Sequence, residues 1–122
     1  MALYASTRMT TIYKVLDAVT WTAAQKAGVF QGSAVDLRDG FIHFSAKDQL
    51  AETLHKHFAG ASDLLLLYIQ AEQIADNLRW EPSRGGALFP HLYAALPVAA
   101  VHRVEPLQLD AHGSHLLPPL EG

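Results

Sequence analysis

The run Thr11-Ile12-Tyr13-Lys14-Val15-Leu16 is rich in β-branched and aromatic residues and predicts a first strand. Side chains alternate between faces on a strand, so Tyr13 and Val15 share one face and Ile12, Lys14 and Leu16 the other. Asp17 is a helix-capping residue. The spacing of Trp21, Ala24 and Ala27 predicts a helix over 18–27, stopped by Gly28. Residues 31–40 read as a turn-rich connection, and Asp39-Gly40 leads into Gly40-Phe41-Ile42-His43-Phe44-Ser45. This short apolar run predicts a strand with Ile42 and Phe44 on its core face and Phe41, His43 and Ser45 on the other. Ser45-Ala46-Lys47-Asp48 fits the capping-box pattern for a second helix over 46–58, with Leu50, Leu54 and Phe58 facing the core.

Leu64 to Ile69 is continuously apolar, as in a central strand covered on both faces. Ala71 to Asp76 suits a short helical turn. Residues 78–82 alternate, setting Arg79 and Glu81 opposite Leu78 and Trp80. Ser83-Arg84-Gly85-Gly86 reads as a loop, 97–104 as a late strand, and 110–122, with no periodicity, as an extended or mobile tail. The sum is a single α+β domain over 10–108, with a mostly antiparallel sheet and two main helices. Met9 is a candidate start, and residues 1–9 read as an N-terminal extension.

Composition narrows the function classes. The net charge of −3 argues against a general electrostatic grip on nucleic acid. No cysteine is present, which removes disulfides, thiolate zinc sites and cysteine nucleophiles and fits a cytoplasmic setting. No apolar run approaches the roughly 20 residues of a membrane span. His55 and His57 stand about 200° apart on a helix and cannot chelate together.

Polar residues in apolar or glycine-rich settings form the candidate site: Lys14, Ser33, Ser45, Arg79, Arg84, His91 and Tyr93 as ligand contacts, and His43 and Glu81 as candidate catalytic groups. Several have a plain structural alternative, among them His91 as an exposed residue of a loop at the core edge. Lys14 can snorkel at a sheet edge, Ser45 can cap a helix, and His43 can be a buried ring bonded to a carbonyl. Cations outnumber anions in the set, and Phe89 and Tyr93 offer an aromatic wall. A small anionic or nucleotide-like ligand suits that chemistry. A metal hydrolase built on His43, His91 and Glu81 finds no supporting spacing, and no metal is expected.

The pieces Tyr13-Lys14-Val15, Trp21, Gly32-Ser33, Asp36, Asp39 to Ser45, Leu78-Arg79-Trp80-Glu81, Arg84-Gly85-Gly86 and Phe89-Pro90-His91-Leu92-Tyr93 resemble the signature of the small bacterial family called DUF952. The resemblance spans about residues 10–108. The usual pattern has glycine after Leu-Tyr; here Ala94 stands there. That family is similar to the ADP-ribosyltransferase fold, in particular to the catalytic lobe of RNA 2'-phosphotransferases. Tyr13-Lys14-Val15-Leu16 falls at the first motif of those enzymes and Ile42-His43-Phe44-Ser45 at the second. Their first-strand histidine is matched by Lys14, and Glu81 is the candidate for the transferase glutamate. The resemblance implies a split β-sheet with a cleft and NAD as a possible cofactor. Two readings follow: a binding module without turnover, or an NAD-dependent ADP-ribosyl- or glycosyl-transfer enzyme using His43 and Glu81.

Overall fold

A computed structural model describes residues 9–121 of the chain, apart from the Arg84 side chain. The N-terminal extension therefore lies, except for Met9, outside the described residues. The expected α+β architecture is present, and every strand pairing is antiparallel.

Three sheets share the work. The main one runs β1 (Thr11–Asp17), β4 (Leu64–Gln70), β8 (Val101–Leu109), β9 (His115–Leu116) in spatial order. The second runs β3 (Ile42–His43), β6 (Leu88–Leu92), β5 (Leu78–Pro82), and a small pair joins β2 (Val29–Phe30) to β7 (Leu96–Pro97). The central β4 is apolar on both faces because two cores sandwich it, as its unbroken run predicts. Leu67 and Ile69 join Ile12, Leu16, Trp21, Phe30, Ile42, Phe44 and Leu92 on one side. Leu64, Leu66 and Tyr68 join Tyr13, Val15, Leu50, Leu54 and Leu107 on the other.

Helix α1 (Ala18–Ala27) follows the sequence signals: the Asp17 side chain accepts from the Thr20 N–H, and Gly28 ends the helix. Trp21 and Ala24 are buried, whereas Ala27, expected on the same stripe, is exposed. Two expectations are corrected. The connection over 31–40 holds a helix, α2 (Ala34–Asp39), opened by a full capping box in which the Ser33 hydroxyl accepts from the Asp36 N–H and the Asp36 carboxylate accepts from the Ser33 N–H. Six residues are too few for an apolar period to show, so only its cap could announce it. The second S-x-x-D pattern, at Ser45, is not a cap. The helix there starts one residue later, with a 3₁₀ turn (Lys47–Gln49) leading into α3 (Leu50–His57), and the Gln49 side chain accepts from the Ala46 N–H. The Ser45 hydroxyl instead meets Thr53 Oγ1 at 2.8 Å.

The tail is anchored over its described residues. Leu120 packs against the second core, Glu121 O accepts a 2.6 Å bond from the buried Tyr13 hydroxyl, and the Glu121 carboxylate meets His102 Nε2 at 2.7 Å.

The segment Ile42–Ser45 ties the sheets together. Ile42 and His43 pair with Leu92 and His91 of β6. One step further, Phe44 N–H donates to Pro90 O at 3.0 Å, and proline has no N–H to return the bond. The chain then leaves β6: Ser45 exchanges both main-chain bonds with Tyr13 of β1, at 2.8 and 2.9 Å. Pro90 thus sits in a central strand at the point where its ladder is about to open. Beyond Ser45–Tyr13, β1 and β3 diverge and the sheet splits.

Candidate functional site

The split is held by a buried ion pair. His43 faces His91 in a pairing whose main-chain groups point away from β6, toward β1. In a continuous sheet β1 would receive them. Here the His43 N–H donates to Asp36 Oδ1 at 3.1 Å, and His43 O accepts from Lys14 Nζ at 2.9 Å. Lys14 Nζ also lies 3.2 and 3.0 Å from the two Asp36 oxygens. Both residues are buried, at 8% and 2% exposure. The pair therefore substitutes for the ladder bonds that the split removes, which compensates much of the cost of burying two charges.

Asp36 gathers four donors in five contacts: Lys14 Nζ, the His43 N–H and His43 Nδ1 (2.7 Å) meet Oδ1, and Lys14 Nζ and the Ser33 N–H meet Oδ2. Burial alone would raise its carboxyl, but the His43 hydrogen bond and the Lys14 charge outweigh that and hold it well below the usual carboxylate range. Burial pushes the Lys14 ammonium down, against the opposing pull of Asp36. The close approach needs glycine at position 32. Its φ of +124° is left-handed territory, and an added Cβ would sit 2.9 Å from the Asp36 Cβ.

The other ring nitrogen of His43, Nε2, lies 3.0 Å from Asp39 Oδ2. With a carboxylate at each nitrogen, the ring satisfies both only when both nitrogens carry protons. His91 is arranged differently. Its Nδ1 meets Glu81 Oε1 at 2.8 Å, and the same oxygen accepts from the Tyr93 hydroxyl at 2.7 Å. Those bonds, Tyr93's first, lower the Glu81 carboxyl. His91 Nε2 has no hydrogen-bond partner among the described residues. Phe41 ties the group together: it stacks on His91 at 4.1 Å between ring centres and touches the rings of His43 (4.6 Å) and Tyr93 (5.2 Å).

Strand registers explain this gathering. Arg79 pairs with His91 and Glu81 with Phe89 across β5 and β6, so Phe41, His43, Arg79, Glu81, Phe89, His91 and Tyr93 leave one face of the second sheet. Its opposite face carries Ile42 and Leu92 into the core.

A cleft of about 500 Å³ opens along the split, between α2 and α3. Of the sequence-predicted residues, Lys14, Ser33, His43, Ser45 and His91 line it. Lys14 and Ser33 meet it already engaged, one in the ion pair and one in the α2 cap. Arg79, Glu81 and Tyr93 stand on the same sheet face as His43 and His91 but do not line the cleft; the Arg79 guanidinium lies 5.7 Å from the centre of the Tyr93 ring. The Arg84 side chain lies outside the described residues. Sequence reasoning missed Asp36 and Asp39 as site residues. The signal for Asp36 was present: Ser33-Ala34-Val35-Asp36 is itself a capping-box pattern. Among the described residues no group of three or more His, Asp or Glu side chains is placed to hold a metal, and no helix is long and apolar enough to cross a membrane.

Residues 15–104 match the family described as "Protein of unknown function (DUF952)". The chain is similar to protein CC0527 from Caulobacter crescentus. A crystal structure of that protein is 52% identical with a TM-score of 0.85, covering 88% of this chain and 94% of its own. Its solution NMR structure is 54% identical with a TM-score of 0.79, covering 87% and 91%. No curated protein matches the chain.

Proposed function

Since the chain belongs to the DUF952 family, whose description assigns no activity, we propose from the site itself that the cleft binds a small nucleotide-like ligand without turning it over. One observation carries this reading: His91, oriented by Glu81, lines the cleft with Nε2 unpartnered among the described residues. With Nδ1 donating to Glu81, Nε2 offers a lone pair, which suits a ligand hydroxyl such as that of a ribose. Phe89, also in the lining, offers a face for a flat ring.

Charge plays a smaller part than the amino-acid types suggest. Lys14, Arg38 and Lys56 all line the cleft, and they are paired with Asp36, Asp39 and Glu52 respectively. This favours recognition of ring and hydroxyl over capture of a multiply charged anion. It also makes NAD a poor fit, because a pyrophosphate needs cations to spare. For the transferase alternative, Glu81 would have to reach the reacting ribose; its Oε1 is instead held by His91 and Tyr93, outside the cleft lining. The split between β1 and β3 is what supports kinship with the ADP-ribosyltransferase fold, and we offer that kinship as part of the same proposal.

The test is a thermal-shift and calorimetric screen of nucleosides and nucleoside monophosphates. A ligand at ten times its Kd should stabilise the fold by about 1.4 kcal/mol. His91→Gln should lose that stabilisation. Absence of any shift at millimolar concentration would sink the proposal.

A further inference from the structure

We propose that the ligand's ring is held by its hydrogen-bonding edge on the main chain of Val15, which makes the occupant a nucleobase with a donor beside an acceptor. This narrows the nucleotide-like reading above and rests on it.

Strand alternation sets where the main-chain groups of β1 point. Ala18 N–H donates to Asp63 O and Ala71 N–H to Thr10 O, continuing the β1–β4 register, so the even-numbered residues of β1 point their main-chain groups at β4. Tyr13 points its own pair the other way, to Ser45. Val15, two residues on, presents its N–H and C=O in that same outward direction. The residue that would continue the ladder opposite Val15 is His43, and its N–H and C=O are already taken by Asp36 and Lys14. The ion pair that satisfies one lip of the split thus leaves the other without a partner among the described residues.

Val15 lines the cleft, yet its side chain packs in the second core and the residue is only 6% exposed. Buried main-chain N–H and C=O groups are almost always paired, and a pair this shielded calls for a ligand or water. A donor and an acceptor side by side on one residue complement the edge shared by uracil and adenine. Val15 N–H would bond a uracil carbonyl or an adenine ring nitrogen, and the uracil ring N–H or the adenine amino N–H would bond Val15 O.

The test compares uridine with 3-methyluridine, and adenosine with N6,N6-dimethyladenosine, on the full chain. 5-Methyluridine, whose methyl lies off that edge, serves as the steric control. The Val15 amide is followed by ¹⁵N NMR in each titration, so no variant that fails to fold is needed. Edge recognition predicts at least tenfold weaker binding of both blocked analogues, unimpaired 5-methyluridine binding, and a downfield move of the Val15 amide proton with uridine or adenosine. Equal binding of blocked and unblocked pairs, or a stationary Val15 amide on saturation, overturns the edge reading and leaves the nucleotide-like reading standing. Absence of binding by every nucleoside overturns both.

Discussion

His43 and His91 face each other across β3 and β6 with ring centres 5.5 Å apart, yet the chain uses them in opposite ways. His43 is the more exposed, at 32%, but its N–H, its C=O and both ring nitrogens are engaged by Asp36, Lys14 and Asp39. The His91 side chain is 6% exposed and has a single ring hydrogen bond among the described residues, to Glu81. The more accessible histidine belongs to the frame, and the more buried one has a nitrogen to offer. Exposure alone would rank them the wrong way round; counting hydrogen-bond partners separates them.

The largest expected effect is at the frame. Asp36→Ala leaves Lys14 buried and uncompensated, removes the α2 capping carboxylate and frees two His43 donors. It should cost about 3–5 kcal/mol, read by denaturant unfolding. The sharper variant is the double replacement Lys14→Met with Asp36→Leu. A buried ion pair whose members serve only each other is often replaced by apolar residues without loss. Here the replacement strips the His43 N–H and C=O as well, at about 1–3 kcal/mol for each unsatisfied group. The double variant should therefore stay at least about 2 kcal/mol less stable than the parent; a neutral result would reduce Lys14 and Asp36 to an ordinary pair.

The pH dependence has a definite sign. Asp36 is depressed in the folded state relative to an ordinary carboxylate near 3.9. Its contribution is present above that value and is lost as pH falls through the lower folded value. Asp36→Asn should flatten this part of the acid limb of the stability curve. An unchanged acid limb would show that Asp36 gains nothing from its partners.

Gly32→Ala is expected to cost about 1–3 kcal/mol, through the left-handed backbone and the contact with Asp36. A chemical denaturation midpoint within error of the parent would remove the close-approach argument. Ser33→Ala should cost about 1 kcal/mol as a lost cap. Ser45→Ala should lose only one neutral hydrogen bond and leave α3 helical by amide exchange. The smallest effect on stability is Glu81→Gln, at a partly exposed position. It should leave Tm nearly unchanged while weakening nucleoside binding, because Glu81 orients His91.

The gathering of His43, Arg79, Glu81, His91 and Tyr93 depends on β3, β6 and β5 pairing, which spacing along the chain does not show. The strands β1, β4 and β5, helix α1 and the shared faces of Arg79 with Glu81 and of Phe41 with His43 were legible in the sequence, through alternation and capping signals. The frame was not. Lys14 and Asp36 lie 22 residues apart, and no local pattern records that they meet. The sequence does hold two S-x-x-D patterns, but nothing in them says which one caps. Ser33 does so because Gly32 turns the chain into α2, whereas Ser45 is committed to Tyr13 through its main chain. The role of Glu121 at Tyr13 and His102 was hidden in a tail without periodicity, since it rests on single contacts across 108 and 19 residues.

The division between the two histidines is tested most directly by ¹⁵N NMR of their ring nitrogens during a titration with uridine monophosphate. The account predicts that the His91 ring signals move with ligand occupancy while those of His43 stay with Asp36 and Asp39. Movement of the His43 signals with His91 stationary would contradict it.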